Sequence, residues 1–364
     1  MATPTRAVQT PEQAQQPQQT QMAEGQPASS LAFDWTMVAL SCWFMTGLFL
    51  DGWAHAHIPQ LETFFTPWHA VLYSGYLSVA LFLAISALRN IRRGYAWTRS
   101  LPSGYELSLL GAGIFAVSGV GDMIWHILFG IEQNVEALLS PTHLGLATGF
   151  ILIESGPLRA ALRRPHEQTH GWRALLPMLA SVTFLYAVFS FFTEYANPFI
   201  RLTASFVYSP QYQGVNTSIS LGLVSILFQA ALMTALVLLV IRRFTLPFGA
   251  LAMLFTINVA LLSVLSDHHE LVLPALIGGL AADLLYRVMQ PSLKRPDMLH
   301  LFAFAMPAVY YLCYFLNLAI VQGIQWSIHL WLGSVFMAGI VGLLLSYLMA
   351  PMRGGEAKAV QEEE

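Results

Sequence analysis

The sequence predicts an all-α integral membrane protein of about ten transmembrane helices, with both termini cytoplasmic. Within it, an internal parallel repeat of two helical hairpins, helices 1–2 and 3–4, is expected. Three observations predict this. Of 364 residues, 56% are hydrophobic and only 10% are charged, against roughly 25% charged in a soluble domain, and mean hydropathy is +0.58. Ten apolar runs are long enough to cross a bilayer, which takes ~20 residues. One stretch is also written twice: Glu62 to Tyr76 reads ETFFTPWHAVLYSGY, and Glu136 to Phe150 reads EALLSPTHLGLATGF. Both follow E-x3-[S/T]-P-x-H-x2-L-x-[S/T]-G-[Y/F].

Taken in order, residues 1–30 are rich in Gln, Pro, Ala and Thr. They hold too little apolar surface to offset chain entropy, and a disordered cytoplasmic tail is expected. They lack the basic start and apolar core of a signal peptide, so the first apolar run is expected to remain as a membrane helix. The runs are 32–53, 67–88, 106–129, 141–163, 173–195, 217–241, 247–266, 269–289, 298–321 and 328–350. Residues 31–163 are expected to form a duplicated four-helix half carrying a metal site, 164–352 a six-helix remainder, and 353–364 a polar cytoplasmic tail.

Arginine and lysine set the orientation. Arg89, Arg92, Arg93 and Arg99 follow the second run, and Arg163, Arg164 and Arg173 the fourth. Arg242 and Arg243 follow the sixth, Arg287, Lys294 and Arg295 the eighth, and Arg353 and Lys358 the tenth, while the alternate loops hold only Arg201. By the positive-inside rule, the Arg-poor loops face out of the cytoplasm, and the bacterial inner (plasma) membrane is the expected location. The net charge of −3 excludes a basic nucleic-acid surface. Cys42 and Cys313 both fall in apolar runs, so no disulfide framework or CxxC metal knuckle exists.

The chemistry-bearing side chains gather at one end of this map. His55, His57, His69, His126, His143, His268, His269 and His329 fall at the outer ends of the runs, with Asp51, Glu62, Asp122, Glu132, Glu136, Glu194, Asp267 and Glu270. Only His166, His170 and His300 fall at the inner side. Upstream of each copy of the repeat stands Asp-x3-His, as Asp51 with His55 and Asp122 with His126. That spacing puts acid and imidazole on one helix face. Asp122 lies about 12 Å below the outer end of its run at 1.5 Å per residue, a depth costly for a carboxylate without a partner or cation. Thr66-Pro67 and Ser140-Pro141 read as an N-cap followed by proline in the first turn, which sets His69 and His143 at the start of helices 2 and 4. Gly75 and Gly149, further along the same helices, would let neighbouring helices approach closely.

Carboxylate and imidazole together suit a transition metal ion, with iron, copper and zinc the candidates. Asp51, His55, His69, Asp122, His126 and His143 are the expected ligands, enough for a dinuclear centre, and Glu62 or Glu136 is a candidate general base. Asp267, His268, His269 and Glu270, with His329, form a second candidate cluster. Glu154 and Asp283, deep in their runs, would be steps of an intramembrane path. Each feature also has a plainer role: Asp-x3-His as a hydrogen-bonded pair, Asp267 to Glu270 as a polar turn, and Trp53, Trp68, Trp125 and Trp326 as an interfacial belt.

Over the span from Asp51 to His69, the pattern is similar to the C subunit of the copper membrane monooxygenases. That family places Asp-x3-His on a membrane segment and a second His shortly after, in the manner of Asp51, His55 and His69. The resemblance implies a metal held by those three residues. Intramembrane zinc hydrolases of the ceramidase and adiponectin-receptor type are similar in combining histidines with aspartate, but with different spacing and fewer helices.

Three functions fit this map. The first is a membrane metalloenzyme, an oxidase or oxygenase or else a hydrolase, acting on a small apolar or lipid-like substrate among Phe64, Phe65, Trp68, Leu138 and Leu139. An oxidoreductase of this kind would need an electron donor or partner subunit. The second is transport or delivery of a metal ion or proton through Glu154 and Asp283, with Asn258 and Asn317 as further polar positions. The third is a haem protein with His69 and His143 as axial ligands, which leaves the carboxylates without a role.

Overall fold

The computed structural model describes residues 25–58, 64–130, 135–207 and 214–349. Glu62, Glu132, Arg353, Lys358 and most of both terminal tails lie outside the described residues. Within them the chain is helical, with no strand. The main helices are α1 (Leu31–His57), α2 (Pro67–Arg92), α3 (Glu106–Phe129), α4 (Pro141–Glu154), α5 (Gly156–Arg163) and α6 (Gly171–Phe192). They continue with α7 (Val215–Ile241), α8 (Ala250–Ser266), α9 (Val272–Met289), α10 (Pro296–Val321) and α11 (Ile328–Met349).

Eight helices among the described residues are long and apolar enough to cross a membrane, where the sequence suggests ten runs. The difference has two causes. The run 141–163 divides at Ser155, because Gly156-Pro157 opens a new helix there and proline cannot continue the ladder of the helix before it. The run 247–266 spends its first residues in a turn, with Gly249 left-handed (φ 93°), and leaves the 17-residue α8.

Local chemistry explains the boundaries near the site. The Ser30 hydroxyl accepts the Phe33 N–H and starts α1. Thr66 and Ser140 cap α2 and α4, and each hydroxyl accepts the backbone N–H of the histidine three residues on, His69 and His143. Proline follows both caps in the first turn, where its missing N–H costs nothing. Gly130, at φ 83°, ends α3.

α1 packs on α2 and α3 on α4, as two hairpins. The approach is close enough to require glycine in both hairpins, at Gly75 and Gly149 among others. A Cβ on Gly75 would lie 2.7 Å from the Phe44 Cα, and one on Gly149 would lie 2.8 Å from the Phe115 N and from the Gly111 carbonyl. α6 is the central helix, buried along most of its length; it meets α1, α4, α5, α7 and α8. α8 to α11 pack in sequence, α11 closes onto α7, and α8 touches α1.

At the end of the four-helix half away from the repeated histidines, a buried ion pair ties three segments together. Arg164 Nη1 lies 2.6 Å from Asp34 Oδ2, and the Tyr105 hydroxyl donates to Asp34 Oδ1 at 2.7 Å. Asp283 accepts the N–H groups of Leu251 and Ala252 at 3.1 and 2.9 Å. It thereby caps α8 from the neighbouring α9, a structural role that accounts for a buried acid at that depth.

Candidate metal centre

Two candidate sites are present, one in each hairpin. Asp51, His55 and His69 bring one ligand atom each to within 4.8 Å of one another, and Asp122, His126 and His143 do the same. In the first, His69 Nε2 lies 3.3 Å and His55 Nε2 3.9 Å from Asp51 Oδ2. In the second, His126 Nε2 lies 3.3 Å from Asp122 Oδ2, and His143 Nδ1 lies 3.5 Å from Asp122 Oδ1.

In two of the four imidazoles a backbone carbonyl lies behind the ring, while His143 Nδ1, which faces Asp122, also lies 2.6 Å from the Ser140 hydroxyl. His69 Nδ1 lies 2.6 Å from the Phe64 carbonyl, and His126 Nδ1 lies 3.4 Å from the Gly130 carbonyl. A carbonyl only accepts, so the short His69 contact favours a proton on Nδ1, the longer His126 contact is compatible with the same tautomer, and that tautomer turns the Nε2 lone pair to the aspartate. A lone pair and a carboxylate oxygen at 3.3 Å repel unless a cation lies between them, either a second proton or a metal ion. Metal-bound histidines use the same backbone-carbonyl anchor. The second site has an added brace, since the Thr142 hydroxyl donates to Asp122 Oδ1 at 2.8 Å. It is also the drier site: the Asp122 side chain is 3% exposed and that of Asp51 13%.

The sites are neighbours. The Phe64 ring stacks on His69, with centroids 4.8 Å apart, and lies 6.1 Å from His126. His55 is within electrostatic reach of both His126 and His143.

Beneath the ligands lies a layer of four aromatic rings, one from each of α1 to α4. Phe44 is two turns from Asp51, Tyr76 two turns from His69, Phe115 two turns from Asp122 and Phe150 two turns from His143. Phe44 stacks on Phe150 at 3.7 Å and Tyr76 on Phe115 at 4.6 Å, while Phe44 meets Phe115 edge-on at 5.1 Å. One turn beyond this floor, Glu154 is buried, accepts a hydrogen bond from Ser41, and leaves Oε1 unpartnered.

The other predicted positions do not converge on the triads. His57 Nε2 donates to Asp267 Oδ2 at 2.9 Å, and that bond holds the exposed Asp267 carboxyl below the usual carboxylate range. His268 pairs with Glu270 at 3.2 Å, and His269 Nδ1 lies 3.1 Å from the Ser263 hydroxyl. His329 is exposed at the start of α11. Among the described residues this turn gathers no set of three ligand atoms; its side chains splay to separate partners. Glu136 is exposed on a short helix, Val135–Leu139, one turn before the Ser140 cap. Glu194, half-buried beyond the end of α6, has its carboxyl pushed up to about 7 by burial, which Arg201 partly offsets.

Thr142, Tyr73 and the aromatic floor are absent from the sequence-level set. The floor has a readable signal, since phenylalanine stands seven residues before the aspartate in both copies. Comparison of the chain with protein-family models, curated proteins and solved structures finds no match.

Proposed function

We propose that this protein is a membrane metalloenzyme with two adjacent three-ligand metal sites, built by an internal duplication and opening to the extracytoplasmic side. The observation that carries this is the pair of Asp-His-His triads, each complete within its own hairpin. Two histidines and one carboxylate leave coordination positions open, as catalytic zinc and non-haem iron(II) sites do, whereas structural sites fill theirs. Duplication is supported by matched details: the same cap before the ligand histidine, the same glycine contact and the same ring two turns below. The outward direction is supported by the arginine-rich loops at the opposite ends of the helices.

Iron, copper and zinc remain the candidate ions. Bound there, the ion would polarise a substrate oxygen, activate water for hydrolysis or, if redox-active, take part in oxidation. The protein's own residues supply the rest. The Phe64 and Gly130 carbonyls orient imidazoles, Thr142 steadies Asp122, and Phe65 and Leu139, both exposed, offer an apolar approach for a small or lipid-like substrate. An oxygenase of this kind would draw electrons from a donor or partner subunit. A catalytic site is favoured over a transport path because the four-ring floor separates the triads from Glu154, and Asp283 is engaged as a helix cap.

The test is elemental analysis of the detergent-purified protein beside His69→Ala, His143→Ala and the double variant. Two ions in the parent, one in each single variant and none in the double variant are expected. Absence of stoichiometric metal in parent protein purified without chelator and re-supplied with each ion would remove the metalloenzyme assignment. Proton handling by the same carboxylates would then take its place.

A further inference from the structure

Tyr73 lies one turn below His69 on α2, between the ligands and the aromatic floor. Its ring packs between Phe64, at 5.9 Å, and Phe115, at 6.1 Å. The phenol crosses from its own hairpin to the other, because a Cβ on Gly119 of α3 would lie 2.9 Å from the Tyr73 hydroxyl oxygen and 3.0 Å from Cε1. Gly119 is one turn from Asp122 and two from His126, on the same face of α3. Any larger residue there would displace the phenol. The Asp122 and Asp51 carboxylates, one from each triad, are both in electrostatic reach of this hydroxyl.

Neighbouring hydroxyls are committed elsewhere. Tyr76 donates to the Ala112 carbonyl at 2.8 Å, and Thr142 donates to Asp122. Among the described residues nothing accepts from the Tyr73 hydroxyl.

The geometry points to Tyr73 as a hydrogen-bond donor shared by the two sites: we infer that its phenol binds the oxygen ligand, water, hydroxide or a substrate oxygen, that occupies the open positions of the ions between the triads. This rests on the metal-binding assignment above. It adds a ligand-binding residue from outside the metal-ligand set, and it makes the two triads one functional unit. Asp51 and Asp122 hold the ions, and Tyr73 holds what the ions bind.

Azide, a small anion that takes open metal positions and accepts hydrogen bonds, is the probe. The full-length protein is loaded with cobalt(II), and azide binding is followed by visible absorption in the parent, Tyr73→Phe and Gly119→Ala. Tyr73→Phe removes only the hydroxyl. Gly119→Ala keeps the hydroxyl but pushes it aside, so agreement between the two excludes a packing effect of either one. Both variants are expected to hold as many ions as the parent and to bind azide about tenfold more weakly, equivalent to about 1.4 kcal/mol. Azide affinity within twofold of the parent in Tyr73→Phe, at unchanged ion content, overturns the role of Tyr73 and leaves the metal sites standing. Failure of the parent itself to bind cobalt removes both.

Discussion

Alanine at Gly75 should loosen the first metal site without touching a ligand. The added Cβ would lie 2.7 Å from the Phe44 Cα and 2.9 Å from its nitrogen. Both are backbone atoms, so no rotamer change relieves the clash. Comfortable carbon contacts begin near 3.5 Å, so α1 and α2 must part by roughly 0.8 Å at this level. Overpacking of this kind costs about 1–3 kcal/mol, of which the better helix propensity of alanine returns about 0.5–1 kcal/mol. Asp51 rides on α1 and His69 on α2, so the same displacement separates two ligands. Metal sites tolerate only about 0.2 Å of distance error. Gly149→Ala should do the same to the second site, through Phe115 and the Gly111 carbonyl. Gly113→Ala, where a Cβ meets nothing within 4 Å, is the control and should be neutral or mildly stabilising. The assay is thermal melting in detergent paired with a competitive zinc titration that resolves the two sites. The close-packing account fails if Gly75→Ala melts no lower than Gly113→Ala and binds its first ion with parent affinity.

Three further outcomes are expected. Asp34→Asn should destabilise the protein by about 3–5 kcal/mol, because it strands the Arg164 guanidinium beside a neutral amide in a buried position; a melting curve checks this, and an undiminished midpoint would contradict it. Thr142→Val should weaken the second metal site by about 10–100-fold and leave the first unchanged, as loss of a group orienting a ligand does, measured by the same zinc titration. Glu194 gives a pH dependence whose sign follows from its raised pKa. The folded state binds this proton more tightly than the unfolded state, so the group costs stability as pH rises from its ordinary 4.5 through about 7. Glu194→Gln should therefore stabilise the protein at pH 8 by on the order of 1 kcal/mol after discounting for partial exposure, seen as a higher melting temperature, and change little at pH 4. A larger gain at pH 4 than at pH 8 would contradict it.

Much of the membrane half was legible because its signals are local. The run 106–129 coincides with α3 at both ends. Thr66-Pro67 and Ser140-Pro141 cap where their chemistry says they should, and Asp-x3-His pairs meet because four residues make about one turn. Beyond such spans the sequence was less informative. Hydropathy counted 141–163 as one run because Gly156 and Pro157 break the backbone without breaking the apolar pattern. The cluster Asp267 to Glu270 looked like the triads in composition, but its side chains leave one tight turn in different directions, toward His57, Ser263 and each other. Tyr73 was hidden for another reason. Its importance comes from a contact with Gly119 on a different hairpin, and nothing near either residue in sequence records that they meet.

The completeness of each triad within one hairpin bears on how the molecule is made. Asp51, His55 and His69 all leave the ribosome before α3 begins, and no residue of α6 to α11 is needed to finish their ligand set. A first ion could therefore be taken up by a nascent chain with two helices in the bilayer, and a second ion two helices later. Bound metal would then staple α1 to α2 and α3 to α4 before the central helix α6 arrives to be packed. If the triads bind metal as proposed, biogenesis would be a sequence of charging events in which the supply of metal during synthesis, rather than after it, would govern how much of α1 to α4 reaches its final form.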